Sequence, residues 1–375
     1  MRALGEEVVG ATAAERRRKE AAKRQRKFGG APRVTAVEMG ITEENSIALA
    51  TRESYTKAVD KFLSFAGLTS LSMAAAALDA LLVRYYDEKF LEGKGVGTGT
   101  RLLSAIQYVM PVCSLRGALH LPRAGRSLKG WARLAPGTTR QPLPWMVCAA
   151  LALYLLRGSS VEHCLAWLLM VDCYLRPSEA LRLKKQQFVM PAAGHTDMAK
   201  VALHLNPQEL RVRSKTGELD ESVIVNRVFL SRCLEVYTKK QVAGPIFRIT
   251  LWEMRLAFLQ AAGRLGLGKF GPVLYMGRHS GASNDALNGV PIADVKRRGR
   301  WRTDSSLRRY EKRALVQLVL QKMSPAERAN CHRAAAQLED ELARACIGAR
   351  QTHRRLASGD PSGSSCLLAA APSRE

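Results

Sequence analysis

The sequence is short of acids. Its 375 residues hold 33 Asp and Glu against 58 Lys and Arg, a formal net charge of +25. Such an imbalance points to a polyanionic partner, and nucleic acid is the common one. Long apolar runs are also missing. The longest, Trp145 to Leu156, has twelve residues, where a bilayer-spanning helix needs about 20, so no membrane partner is expected. Aromatic residues make up only 6%, too few to favour an RNA-binding protein built on base-stacking platforms. The eight cysteines form no CxxC pair and have no zinc-site spacing with histidine, so they read as reduced core cysteines of an intracellular protein, and no metal is expected. A Walker P-loop, a strand-to-helix GxGxxG, HExxH and GxSxG are all absent, which removes the usual support for ATP-driven, nicotinamide-dependent and zinc-protease chemistry. The N-terminus lacks the apolar stretch of a secretory signal. Its Glu6, Glu7, Glu15 and Glu20 disfavour a mitochondrial transit peptide.

What is present is 47% hydrophobic content, ample for buried cores. The pattern predicts a mainly α protein with a small antiparallel β-sheet. Residues 1–45 read as a basic flexible arm, with eight basic residues in the thirteen of ERRRKEAAKRQRK. Arg16, Arg17 and Arg18 open that block, which fits either nuclear import or a grip on DNA. Residues 46–136 read as a helical domain. Helices are predicted over 51–66, 78–91, from Thr100 and over 128–134, with Tyr55, Val59, Phe62, Leu63, Leu81, Leu82, Tyr85, Tyr86, Leu102, Ile106 and Val109 available for burial and GKGVGTG at 93–99 as a break. Residues 137–144 read as a linker. A second domain over 145–323 opens with two helices apolar on most sides, 145–156 and 161–175. Alternation at Val201, Leu203 and Leu205 and again at Val223 and Val225 predicts a sheet, with Ser214-Lys215-Thr216-Gly217 as a hairpin turn. Helices are predicted again at 228–239, 251–265, 281–287 and 313–322. Ser324-Pro325-Ala326-Glu327 is a capping box, so residues 324–375 read as a C-terminal helix to about Ala345 and a disordered tail.

The densest basic segment is VKRRGRWRTDSSLRRYEKR, residues 295–313, with nine Lys or Arg in nineteen and Tyr310 in its midst. Lys296, Arg297, Arg298 and Arg300 are candidate DNA contacts. Upstream lie YMGRHSGAS (275–283), the hairpin-tip Lys215, and LRPSE (175–179). In the last, Pro177 suits the first helical position and fixes where Arg176 leaves the helix entrance, while Glu179 is spaced to reach back to it.

The order of these elements, Arg, then Lys in a hairpin, then Arg-His, then Gly-x-Trp and a Tyr nine residues later, resembles the tyrosine recombinase family, the phage-integrase type of site-specific DNA recombinase. The likeness spans roughly residues 50–320 and is nearest to versions from eukaryotic mobile elements. It implies a helical SAM-like core-binding domain followed by an α+β catalytic domain. It also implies double-stranded DNA as partner, a homotetramer on two DNA sites, and cleavage and religation through a covalent 3′-phosphotyrosine without metal, ATP or other cofactor. By the same resemblance Arg176 and Arg278 stabilise the phosphate, Tyr310 is the nucleophile, Lys215 protonates the leaving 5′-oxygen, and Trp301 donates an N–H. Segment 313–322 either docks on a neighbouring protomer or packs on its own domain. Location is nuclear in a eukaryotic cell and cytoplasmic otherwise. The chemistry suits the residue types: guanidinium groups are permanently charged bidentate donors, and a hydroxyl nucleophile splits one hard step into two.

Two positions depart from the family pattern. Tyr275 stands where a histidine is common, and so does Trp301. Both changes weaken acid–base assistance, which is worth about 10²–10⁴-fold, more than charge stabilisation. His279, beside Arg278, is read as structural. Two alternatives stay open: a catalytically silent DNA-binding protein derived from a mobile element, and a type IB topoisomerase-like strand transferase.

Overall fold

The computed structural model describes residues 33–34, 39–137, 140–192, 194, 199–210 and 219–357. The chain divides into two compact units, Met1–Thr139 and Arg140–Glu375. It is mainly helical, with a small three-stranded antiparallel sheet in the second unit. No helix among the described residues is long and apolar enough to cross a membrane.

The first unit holds α1 (Ile41–Glu44), α2 (Leu49–Ala66), α3 (Ala75–Leu91), α4 (Gly97–Val109) and α5 (Pro122–Leu134), with a two-residue pairing of β1 (Arg33–Val34) and β2 (Met73–Ala74). Of the predicted positions, Phe62, Leu82, Tyr85, Tyr86, Leu102 and Ile106 are buried together with Leu78 and Trp131, while Tyr55, Val59, Leu63, Leu81 and Val109 are half-buried. Gly67 ends α2 in the left-handed conformation, with its N–H and that of Leu68 closing on the last turn. The glycine-rich break is shorter than expected, because α4 begins at Gly97. Gly99 lies inside it, since a Cβ there would come within 2.6 Å of Leu128 and 2.9 Å of Trp131. That glycine lets α4 and α5 approach closely. The first turn of α5 has no local cap. Buried Asp79 of α3 supplies one instead, accepting the backbone N–H groups of Arg123 at 3.0 Å and Ala124 at 2.7 Å.

The second unit contains α6 (Trp145–Gly158), α7 (Val161–Asp172), α8 (Pro177–Leu181), β3 (Phe188–Val189), β4 (Ala202–Leu205), β5 (Glu221–Ile224), α9 (Val228–Thr238), α10 (Leu251–Arg264), α11 (Met276–Leu287), α12 (Ile292–Arg298), α13 (Asp304–Leu307), α14 (Arg313–Lys322) and α15 (Pro325–Ala357). Helices α6 and α7 form the centre of its core, as their all-round apolar character requires. The sheet runs β3-β4-β5, with Leu203 opposite both Phe188 and Val223. The alternating Leu203, Leu205 and Val223 face the core. Residues 211–218, which carry the predicted hairpin and Lys215, lie outside the described residues, as do Arg16, Arg17 and Arg18 and everything after 357.

Leu143 is buried, and the chain entering α6 is pinned to α11. The Leu143 N–H donates to Ser280 Oγ at 2.8 Å, the Trp145 N–H to Asn284 Oδ1 at 2.9 Å, and Asn284 Nδ2 donates to the Leu143 carbonyl at 2.8 Å. Segment 313–322 is helical as read. Helix α14 packs on α11 and buries Val316 and Val319. The capping box of α15 forms as read, with the Ser324 N–H donating to Glu327 at 2.7 Å and the Glu327 N–H to Ser324 Oγ at 3.2 Å. The helix runs on to Ala357, past the expected Ala345; Leu338, Leu342 and Cys346 keep one face of it buried in the core that includes α6 and α9. All seven described cysteines are buried and unpaired by disulfide.

Candidate active site

The site begins where α7 ends. Tyr174 adopts a left-handed backbone, φ 50°, uncommon for a bulky residue. Its carbonyl receives a hydrogen bond from the Arg278 guanidinium. Arg176 follows at the N-cap of α8 and Pro177 at its first position. Glu179 reaches back as its spacing suggests: Oε2 accepts the Arg176 backbone N–H at 2.8 Å, and Oε1 accepts the Arg176 guanidinium.

Arg278 leaves the first turn of α11 and is fully buried. A second carbonyl holds it, Gly299 O, at 2.6 Å. Helix α11 comes this close to α7 because of its small residues. A Cβ on Gly281 would lie 2.0 Å from the Val171 carbonyl, and one on Gly277 3.1 Å from Trp167 and Met170. Helix α11 therefore starts at Met276, not at the Gly281 expected from the sequence: the RHSGAS stretch is its buried inner face.

After α12 the chain turns sharply. Gly299 stacks so tightly under Trp301 that a Cβ would sit 2.0 Å from the ring, and Arg300 has φ 54°. This turn sends the Arg300 guanidinium inward to Glu179 Oε2 at 2.9 Å and Glu221 at 3.5 Å. Arg298 is also turned inward. Its guanidinium bonds the Asp172 and Ile224 carbonyls at 2.9 Å and the Asp172 carboxylate at 3.2 Å. Buried Asp172 further accepts the Asn226 N–H at 2.8 Å and pairs with Arg227 at 3.0 Å, so it ties the end of β5 to the end of α7. The guanidinium groups of Arg298 and Arg300, read from sequence as DNA contacts, thus bond internal carbonyls and carboxylates. Lys296 pairs with Asp304 and Arg297 with Asp294, each at 2.7 Å on the surface.

Tyr310 follows α13. Its backbone is fixed by Ser283 of α11, whose Oγ donates to the Tyr310 carbonyl at 3.0 Å and accepts the Lys312 N–H at 2.9 Å. Its ring lies 4.6 Å from that of His279, 4.8 Å from Trp301, stacked at 27°, and 6.4 Å from Tyr275. The Arg278 guanidinium sits 4.9 Å from the Trp301 ring centre and 5.3 Å from that of Tyr310. Arg176, Glu179, Tyr275, Arg278, His279, Trp301 and Tyr310 therefore converge, with Arg300 added.

Charge is concentrated here. Burial works against the Glu179 carboxylate, but Arg300, the Arg176 N–H and guanidinium, and Arg278 outweigh it and hold its pKa below the usual value. Burial, then repulsion from Arg300 and Arg176, brings Arg278 down to about 10; it stays cationic at neutral pH. Burial, then Lys312, Arg140 and Arg278, lowers His279 to about 3, so its ring is neutral. Five buried side-chain nitrogens in this cluster have no protein partner: Nε of Arg176, Arg278 and Arg300, Nε1 of Trp301 and Nδ1 of His279. Each buried donor left unsatisfied costs about 1–3 kcal/mol. Such a concentration of N–H donors under excess positive charge suits an oxyanion. Among the described residues no group of three His, Cys, Asp or Glu side chains is placed to hold a metal ion.

Sequence reasoning missed Tyr174, Ser283 and the inward role of Arg300. No local pattern announces a left-handed tyrosine or arginine. Ser283 acts through a backbone carbonyl from 27 residues away.

Comparison by sequence finds no matching protein-family model and no matching curated protein. Among solved structures, the crystal structure of XerA recombinase is similar, with a TM-score of 0.33 and 13% identity over 76% of this chain and 96% of that one.

Proposed function

We propose that this protein cleaves and rejoins double-stranded DNA through a covalent phosphotyrosine at Tyr310. The observation that carries the reading is the set of unpartnered buried N–H donors on Arg176, Arg278, Arg300 and Trp301, with Trp301 and Arg278 set against the Tyr310 ring. A phosphodiester seated there gains charge-assisted hydrogen bonds to its non-bridging oxygens as negative charge builds in the transition state. Tyr310 attacks phosphorus, the O5′ bond breaks, and the phosphotyrosyl ester conserves the bond energy for religation. Lys215 protonates the leaving oxygen in this scheme, as the family resemblance implies. Four protomers then exchange strands between two sites. The net charge of +25 supplies sequence-independent grip on the backbone.

The test is an incubation with a labelled pool of nicked and intact duplexes, scored for an SDS-resistant, protease-sensitive adduct. The wild type forms the adduct, Tyr310→Phe forms none, and Arg278→Ala falls by at least ~10²-fold. Salt-sensitive binding without any adduct would instead identify a silent DNA-binding protein. An adduct that survives Tyr310→Phe would overturn the nucleophile.

A further inference from the structure

Helix α10 (Leu251–Arg264) turns one face to the core, through Met254, Ala257, Phe258, Ala261 and Ala262. Its opposite face is not polar. Trp252 is 70% exposed, Leu256 44% and Leu259 41%. Gly263 is exposed as well, and a Cβ placed on it would meet no atom within 4 Å. These four positions are spaced i, i+4, i+7 and i+11, the repeat of a helix that pairs with another helix. They form a seam about 17 Å long at a rise of about 1.5 Å per residue. An exposed tryptophan and two exposed leucines in one line mark an interaction surface, unlike apolar residues scattered singly.

The seam is complementary to itself. When a second α10 runs antiparallel to the first about a two-fold axis between positions 257 and 258, Trp252 stands against Gly263 of the second copy and Leu256 against Leu259. The largest side chain of the seam then meets its one gap, and two Leu pairs close the middle. Each contact occurs twice, as an isologous interface requires. The flanks agree in charge. Glu253 and Arg264 lie on the same side of the seam, are exposed, and have no ion pair among the described residues. In the antiparallel pair Glu253 of each copy comes level with Arg264 of the other to within about 3 Å along the axis. Glu253 spends Oε2 on the N–H and hydroxyl of Thr250, at 2.7 and 2.8 Å, so its other oxygen is the acceptor for that arginine. Arg255, on the far flank, comes level with Gln260 and not with its own counterpart.

We propose that the exposed face of α10 is a homodimerisation surface, through which two copies of this chain pair by antiparallel α10 helices. The pairing needs neither DNA nor the phosphotyrosine chemistry. A second copy is the occupant because the same seam in reverse brings a ring to Gly263 and a carboxylate to Arg264 at once. One helix pair buries less than the ~1,600 Å² of a stable interface, so the dimer is weak, with a Kd on the order of 10 µM. The net charge of +25 opposes it at low ionic strength. At about 0.15 M salt, where charges are screened beyond ~8 Å, that opposition fades.

The test is sedimentation velocity of the full chain without DNA, at about 0.15 M salt, over a concentration series that brackets this Kd. The wild type passes from monomer to dimer. Gly263→Trp fills the gap and weakens association by at least ~30-fold. Trp252→Ala weakens it too. Trp252→Ala combined with Gly263→Trp moves the ring to the other end of the seam and restores the dimer, which two merely destabilising changes would not do. Circular dichroism melts verify that every variant is folded. A wild type that stays monomeric would overturn the proposal, as would a dimer indifferent to Gly263→Trp or a double variant that remains a monomer. Acrylamide quenching, read as the difference between wild type and Trp252→Ala, identifies other occupants. A monomer whose Trp252 becomes quenchable only when the chain is cut back to Ala357 would give the seam to the C-terminal segment. A monomer whose Trp252 is freely quenched would leave it to a different protein. Either result overturns the dimer. Adduct formation by Tyr310 is read separately, so its failure leaves the outcome for α10 standing.

Discussion

At the scale of single residues, the site is built from groups held away from their ordinary ionisation. His279 is the clearest case. Its folded pKa lies near 3 because burial and three cations oppose its charge, whereas an unfolded histidine titrates near 6.5. Below that value the unfolded chain takes up a proton that the native chain refuses. Stability is therefore full above about pH 6.5 and falls on acidification until about pH 3, by up to ~1.4 kcal/mol per pH unit from this residue. Urea melts of the wild type at pH 7 and pH 5 should show the loss, and His279→Gln should flatten it. If the slope is the same in both proteins, the ring is not held neutral. At this scale the sequence was partly readable. Arg176, Glu179, Arg278, Trp301 and Tyr310 stood out by type and spacing, and all five meet. The inward turn of Arg298 and Arg300 was not readable, since a basic run looks alike whether its side chains face solvent or a buried carboxylate.

At the scale of elements, glycine decides how closely the helices approach. In α11 a Cβ at position 281 would strike the Val171 carbonyl, backbone that cannot step aside. Gly281→Ala should cost about 1–3 kcal/mol through overpacking and push α11 off α7, moving Arg278 with it; adduct formation should fall together with the melting temperature. Gly99→Ala is the matched control, because its neighbours are side chains of the first unit. It should lower that unit's melting temperature and leave single-turnover cleavage chemistry, normalised for bound DNA, unchanged. Equal effects of both substitutions on the chemistry would refute the idea that the glycine in α11 positions the arginine. Apolar α6 and α7 were legible because helices buried on all sides have one composition. The start of α11 was not, because its close packing on α7 sets it.

At the scale of the whole molecule, charge dominates. Under the proposed function, a chain with a net +25 would bind DNA mainly by releasing counterions, so its affinity should drop by at least ~10²-fold between 50 and 200 mM salt. Replacing the eight basic residues of 15–27 with glutamine should make the salt slope shallower without abolishing cleavage, as read by fluorescence anisotropy on a random duplex. An unchanged slope would show that this block stays off the DNA.

The two hydrogen bonds through Ser283 have a consequence for any assembly the chain forms. They fasten the segment bearing Tyr310 to the same helix that bears Arg278. Under the proposed function, attacker and phosphate clamp would then come from one and the same subunit. Mixing Tyr310→Phe subunits with Arg278→Ala subunits should therefore give no more adduct than either alone. Recovery of activity in the mixture would mean that the tyrosine is lent from one subunit to the next.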